Sequence, residues 1–220
     1  MSNPDTYFLR SEVSNSDLTS LKMEMNPQLR IDDAVRNHAF AFGTLVDALV
    51  TEPDRVNYAE CSVDGVLYEA DDWERGLACR DALLREAASN PFLAHVLRHA
   101  SNQCSMHNRA QQFAYGGFPF ALDTRCKWDW WLSHANFGGD LKTTAASSQQ
   151  EFENAVEFFD WDRSRAWYMD IAHSDRDFIF AVSKKNFKVF SKFICRGDEV
   201  YLRGRQKYEE LAFNWWLLKN

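Results

Sequence analysis

Residues 127–144 read Lys-Trp-Asp-Trp-Trp-Leu-Ser-His-Ala-Asn-Phe-Gly-Gly-Asp-Leu-Lys-Thr-Thr. They put Asp129 near the end of one apolar run and an Asp140-Leu141-Lys142 triplet at the end of the next. If both runs are strands, period-two alternation points Asp140 and Lys142 out of the same face. An ammonium then stands beside a carboxylate, with a second carboxylate on the neighbouring strand. Such a set suits Mg²⁺-dependent phosphodiester chemistry. Carboxylates hold hard cations through oxygen, and a metal with a lysine can activate water and neutralise charge growing on a phosphate.

The charges Lys127, Asp129, Asp140 and Lys142 are interleaved with Trp128, Trp130, Trp131 and Phe137. Charges in an aromatic setting need partners or a metal. A buried salt-bridge cluster of the same four residues predicts the same geometry without metal affinity, and the residues alone leave both readings open. By alternation Trp131 shares a face with Asp129 and is the best candidate for stacking on an unpaired base. His95 and His99 have the i, i+4 spacing of paired ligands, but no HExxH arrangement surrounds them, and exposed surface histidines are the simpler account. Cys126 reads as core. No GxxxxGK[ST] or GxGxxG motif occurs, so nucleotide hydrolysis and dinucleotide binding have no support.

The elements that must carry these residues follow from local signals. Ser16-Asp17-Leu18 starts a short helix that ends before Pro27, and Asp32 or Asp33 caps a second that runs to about Val50. Asp72 can cap a third over residues 73–88, with Leu77, Leu83 and Leu84 on its inner side, and a short helix follows Pro91. From Cys104 to Leu141 helical periodicity disappears and glycine pairs at 116–117 and 138–139 punctuate aromatic runs, which reads as a meander of three or four strands. In residues 120–132 the even positions are mostly apolar and the odd ones include Asp123, Arg125, Lys127 and Asp129. That predicts a half-buried strand with one charged face. Asp129 and Asp140 would then face each other across a turn at residues 133–136. Helices at about 148–159 and 162–173, strands at 178–182 and 187–193, and a last helix from Asp198 complete one mixed α/β (α+β) domain over residues 1–220, a central sheet flanked by helices.

Composition narrows the function classes. At 220 residues with 45% hydrophobic and 15% aromatic side chains, the chain suits one filled domain. Its five scattered cysteines contain no CxxC pair, which disfavours a zinc or iron–sulfur site and fits reduced thiols. No apolar run approaches the ~20 residues of a membrane span, and no leader is evident, so a soluble cytoplasmic protein without membrane contact is expected. The net charge of −7 argues against nonspecific coating of nucleic acid, although a carboxylate-lined site is itself acidic. Between Lys184 and Lys207 the balance reverses, with Lys184, Lys185, Lys188, Lys192, Arg196, Arg203, Arg205 and Lys207 against Asp198 and Glu199. That run is either a solvated face or a surface that tracks phosphates, with Lys184 and Lys185 at its head.

Gly43-Thr-Leu-Val-Asp47 on a helix, Lys127-x-Asp129, and Asp140-Leu-Lys142-Thr-Thr together resemble the PD-(D/E)XK nuclease superfamily, and more narrowly its exodeoxyribonuclease VIII (RecE-like) branch of phage and prophage recombination modules. The resemblance spans residues 14–216 in element order. It implies a restriction-endonuclease-like core in which Asp47, Asp129, Asp140 and the Leu141 carbonyl ligate Mg²⁺ or Mn²⁺. Lys142 would orient or deprotonate the attacking water, and Lys127 would support the site or contact phosphate. Gly43, one turn before Asp47, would leave room for metal or phosphate, or simply serve helix packing. Where the family commonly has His, this chain has Asp47, a harder donor that suits Mg²⁺. Where the family tends to have Gln four residues before Tyr168, this chain has Ser164, and the flanking Arg163 and Arg165 are the expected phosphate contacts instead.

The implied activity is exonucleolytic digestion of linear double-stranded DNA from its ends in phage-type recombination. A single-strand annealing protein and further copies of the chain are the implied partners. An endonuclease or structure-specific nuclease on the same fold, and a catalytically weak relative that binds DNA or a partner, are the competing readings.

Overall fold

The computed structural model describes residues 6–219. Ser14 opens α1 (Asn15–Met25) with a reciprocal capping box to Asp17. The Asp32 side chain accepts the Ala34 and Val35 amides to start α2 (Asp33–Thr51). A small antiparallel sheet of β1 (Val56–Asn57), β2 (Ser62–Val63) and β3 (Val66–Leu67) follows, which no alternation in residues 56–67 announces. Helix α3 (Ala70–Ala87) begins a few residues earlier than expected, so Asp72 lies in its first turn, where a carboxylate meets the positive end of the helix dipole. Its inner side is Trp73, Gly76, Cys79, Ala82 and Leu83, whereas Leu84, expected inside, is exposed. Asn90 caps α4 (Pro91–His99).

The meander is three strands, β4 (Ser101–Tyr115), β5 (Phe118–Leu132) and β6 (Phe137–Thr144). Helices α5 (Gln149–Phe158) and α6 (Trp161–Ala172) then lead to β7 (Arg176–Ser183), β8 (Val189–Cys195) and α7 (Glu199–Lys219). The main sheet runs β4-β5-β6-β7-β8. Only β6 and β7 are parallel, because a parallel neighbour needs a crossover and α5 with α6 supply it. The fold is thus the expected mixed α/β arrangement.

Helices cover the sheet on both faces. Leu18, Phe152, Val156, Trp167, Met169, Tyr208 and Leu211 pack with Cys126, Trp128 and Ile179. Phe42, Val46, Leu83, Leu93 and Val96 pack with Trp130, Leu141, Phe178 and Phe180. The half-buried reading of β5 therefore needs correction. Thr124, Arg125 and Cys126 are all buried, and the Arg125 guanidinium, on the expected charged face, is turned inward to the Tyr7 carbonyl and the Asp17 carboxylate. Alternation also breaks at Asp129. Cys126 and Trp128 belong to one core, while Trp130 and Leu132 belong to the other. Opposite on β4, Gln103 is left-handed (φ 53°), with Asn102 paired to Trp130 and Cys104 to Trp128 on either side of it. Among the described residues no helix is long and apolar enough to cross a membrane.

Gly139 sets how closely β6 lies against β7. A Cβ there would stand 2.1 Å from the Phe178 ring, and that ring is fully buried and boxed in by Trp130, Phe92 and Phe137. Gly139→Ala is expected to lower stability by about 1–3 kcal/mol through overpacking. Urea unfolding followed by tryptophan fluorescence checks this, with a reduced midpoint and an unchanged slope as the expected result.

Candidate active site

The β5–β6 ladder ends one pair short of the carboxylates. Leu132 pairs with Phe137, Trp131 with Gly138 and Trp130 with Gly139. The next pair in that register would be Asp129 with Asp140, and there the strands part while β6 stays paired to β7 as far as Thr144. The Asp129 carboxylate fills the gap, its Oδ2 accepting the Leu141 amide at 2.7 Å. This satisfies a main-chain donor that would otherwise be orphaned. In a strand the amide and carbonyl of one residue point to the same edge, so the Leu141 carbonyl faces the same notch.

Asp140, 4% exposed, has partners on both sides. The Lys142 ammonium lies against Oδ2, and Arg165 Nη2 from α6 is 3.3 Å from Oδ1. Asp129 and Asp140 lie close enough that the Asp140 charge acts on Asp129. Asp47 comes from α2, on the other face of the sheet. Its Oδ1 accepts the Thr51 hydroxyl at 2.9 Å and its Oδ2 accepts Gln103 Nε2 at 3.0 Å. It feels the charges of Lys142 and Asp140. Residues 129, 140 and 142 thus meet where the sheet splits, and Asp47 lies near enough for its charge to act on Asp129.

Burial and like charge govern protonation here. Burial pushes Asp129 well above the usual carboxylate range, and Asp140 and Asp47 push it further. Burial works against Asp140 too, but Arg165 and Lys142 outweigh it and hold that carboxyl below its usual value. Burial also raises Asp47, against the Thr51 hydrogen bond and Lys142. A fourth carboxylate, Asp177 at the head of β7, is raised well above its usual range by burial, although Arg165 Nη1 stands 3.7 Å away. Within these contacts four carboxylates face two cations, Lys142 and Arg165. Like charges crowded into a largely buried notch disfavour one another's ionisation, and a bound cation relieves that penalty.

The donor chemistry fits a hard divalent ion. Among the described residues no three His, Cys, Asp or Glu side chains form a ready-made cage. Mg²⁺ does not ask for one, since it keeps several waters and takes one or two carboxylates plus substrate phosphate. Asp129, Asp140 and the Leu141 carbonyl supply such a partial shell, with Asp47 beside it. At Gly43 the helix passes close to β6, where an added Cβ would lie 4.0 Å from Thr143 Oγ1. That space accepts a side chain, so the glycine is not sterically required.

Several expected DNA contacts do not stand. Arg163 is 2% exposed, bound to Asn15 and Thr19 of α1. Arg165 is 1% exposed, paired with Asp140 and Asp177, and lies over the rings of Tyr168 and Trp128. Tyr168 is half-buried over that guanidinium. Trp131 is core, packed on Trp128 with ring centres 5.1 Å apart. Charge pairing also consumes most of the basic run. Lys192, Arg196, Arg203, Arg205 and Lys207 bind carboxylates of their own domain. Among the described residues Lys184, Lys185 and Lys188 make no ion pair, and Lys184 lies over the Phe42 ring. Lys127 is half-buried on β5. Gln103, Thr51 and Asp177 escape sequence reasoning. Thr51 carries a usable signal, one turn after Asp47, and Asp177 is a lone acid opening an apolar strand, but nothing local marks Gln103.

No family model and no curated protein matches this chain. Among solved structures it is similar to that of SSO0001, at 12% identity and a TM-score of 0.37 over 80% of this chain and 75% of that one. It is also similar to a phage-related exonuclease from Haemophilus somnus 129PT, at 12% identity and a TM-score of 0.34 over 77% of this chain and 94% of that one. At this identity and these TM-scores, neither similarity defines the family or the activity of the chain.

Two predictions follow the electrostatics. Arg165→Met leaves buried Asp140 without one of its two cations and is expected to cost about 3–5 kcal/mol in denaturant unfolding at neutral pH. The second concerns pH in chelator. Asp129, Asp177 and Asp47 bind protons more tightly folded than unfolded, so their stabilisation is complete below the ordinary aspartate value of 3.8 and declines as pH rises above it. Asp140 acts in the opposite sense, but below that value. The Tm in EDTA should therefore fall between about pH 5 and pH 8 through these groups, and Mg²⁺ should restore more of it at pH 8 than at pH 5. The double variant Asp129→Asn/Asp177→Asn should flatten the slope.

Proposed function

We propose that the chain is a metal-dependent deoxyribonuclease that hydrolyses phosphodiesters at the notch between β5 and β6. The observation that carries this reading is the split of the sheet between Asp129 and Asp140, with Asp129 accepting the Leu141 amide and the Lys142 ammonium against Asp140. Asp129, Asp140 and the Leu141 carbonyl would hold Mg²⁺ or Mn²⁺, with Asp47 as a further oxygen donor. A bound ion supplies Lewis-acid charge and a more acidic water. Lys142, held in place by Asp140, orients the attacking water and offsets charge developing on the phosphate. Arg165 acts from below the site by keeping Asp140 ionised. Gln103 and Thr51 fix the Asp47 side chain, so that donor need not be ordered when substrate arrives. Lys184 and Lys185, on the turn after β7, together with Lys127, are the proposed phosphate contacts.

The finer reading is an exonuclease that works inward from the ends of linear double-stranded DNA in phage-type recombination. A single-strand annealing protein would be its partner and a homo-oligomer its working form. Those particulars rest on the motif resemblance of Asp140-Leu-Lys-Thr-Thr and Gly43-Thr-Leu-Val.

Digestion of an end-labelled linear duplex in Mg²⁺ tests the site. Asp140→Ala and Lys142→Ala should each lose roughly 10²–10³-fold in rate, the scale of losing one transition-state charge contact. Equal digestion by all three proteins would remove the assignment. Covalently closed plasmid should survive the wild type, and nicking of it would transfer the proposal to an endonuclease.

A further inference from the structure

Half of the six histidines in the chain meet at one surface point remote in chemistry from the acidic notch. His95 and His99 lie one turn apart on α4, and His134 projects from the turn that joins β5 to β6. The Nε2 atoms of His95 and His134 face each other at 3.4 Å. The His99 ring lies beside that of His95, with centres 4.6 Å apart, and the His134 ring is 5.3 Å from it. A 3.4 Å gap is long for a hydrogen bond to nitrogen, which centres near 3.0 Å. It matches the edge of a tetrahedral site, because two Zn–N bonds of ~2.0–2.1 Å at the tetrahedral angle set their nitrogens about 3.4 Å apart.

The backbone beneath these rings is fixed. In the turn, Ala135 donates to the Leu132 carbonyl, Asn136 adopts the left-handed conformation, and the Ser174 hydroxyl donates to the Asn136 carbonyl. His134 is thus held in position rather than carried on a loose loop, as a binding geometry requires. The surroundings favour the neutral ring, since partial burial, the other two histidines and Arg98 all lower the proton affinity of His95. Neutral imidazole is the ligating form.

We propose that His95 and His134, joined by His99 after a side-chain rotation, form a surface site for a transition-metal dication of the Zn²⁺ or Ni²⁺ kind. Among the described residues no three ligating side chains already surround one point, so the site takes the ion with two nitrogens poised, the third recruited and water in the remaining position. Imidazole suits these ions, whereas the oxygen-lined notch suits Mg²⁺. Occupancy would pin the β5–β6 turn to α4 and brace the hairpin that carries Asp129 and Asp140.

Calorimetric titration with Zn²⁺ in millimolar Mg²⁺ tests the site independently of nuclease activity. The expected result is one Zn²⁺ per chain in the wild type, with affinity at least ~10-fold weaker in His95→Ala and in His134→Ala. Asp140→Ala and His38→Ala, the latter altering a histidine paired with Asp72 elsewhere, should bind as the wild type does. A Zn²⁺-dependent rise in Tm should appear in the wild type and vanish in the solvent-exposed variant His134→Gln. Absence of binding at tens of micromolar Zn²⁺, undiminished binding by His134→Ala, or loss of binding in Asp140→Ala would each overturn the proposal.

Discussion

The hydrogen bond from the Leu141 amide to Asp129 Oδ2 is the constraint around which this protein is organised. A sheet that splits leaves main-chain groups without partners, and a buried orphan costs on the order of 1–3 kcal/mol. Here a side chain takes the place of the missing strand. The split can then persist inside a filled core without closing into an ordinary ladder. It also lets groups from both faces of the sheet meet, Asp47 from α2 on one side and Arg165 from α6 on the other.

Acid in excess of base gives this notch its character. Salt-bridge clusters that serve stability alone pair off their charges, as Asp160 and Asp162 do with Lys22, Arg203 and Lys207. Around Asp129 and Asp140 burial and neighbouring charge raise the proton affinity of Asp129, Asp177 and Asp47, while Arg165 and Lys142 lower that of Asp140. Arg165 makes the arrangement tolerable. Fully buried over the rings of Tyr168 and Trp128, it lowers the proton affinity of Asp140, while burial raises that of Asp129.

The sequence makes legible what depends on short-range order. Asp32 and Ser148 cap their helices and Pro91 opens α4, as local signals predict, while α1 starts at Ser14, two residues before the expected Ser16. The separation of Asp129 from Asp140 correctly places the two acids across a hairpin. Burial by distant elements is not legible in the same way. Arg163, Arg165 and Trp131 read as exposed groups because nothing local reveals that α1 closes over Arg163 or that Arg165 and Trp131 pack against Trp128. The change of face of β5 at Asp129 lies opposite the left-handed Gln103, an ordinary polar residue in its own segment. The basic run from Lys184 to Lys207 looks continuous along the chain, yet most of it is spent on acids contributed by α5, α6 and α7.

The crossover from β6 to β7 has a bearing on how the molecule comes together. The β5–β6 hairpin is local and can close within microseconds, which brings Asp129 and Asp140 face to face while water still surrounds them. Drying Asp140 in the company of a cation needs the guanidinium of Arg165 on α6, which the chain makes only after the hairpin. A nascent chain stalled before residue 165 would lack that partner for Asp140.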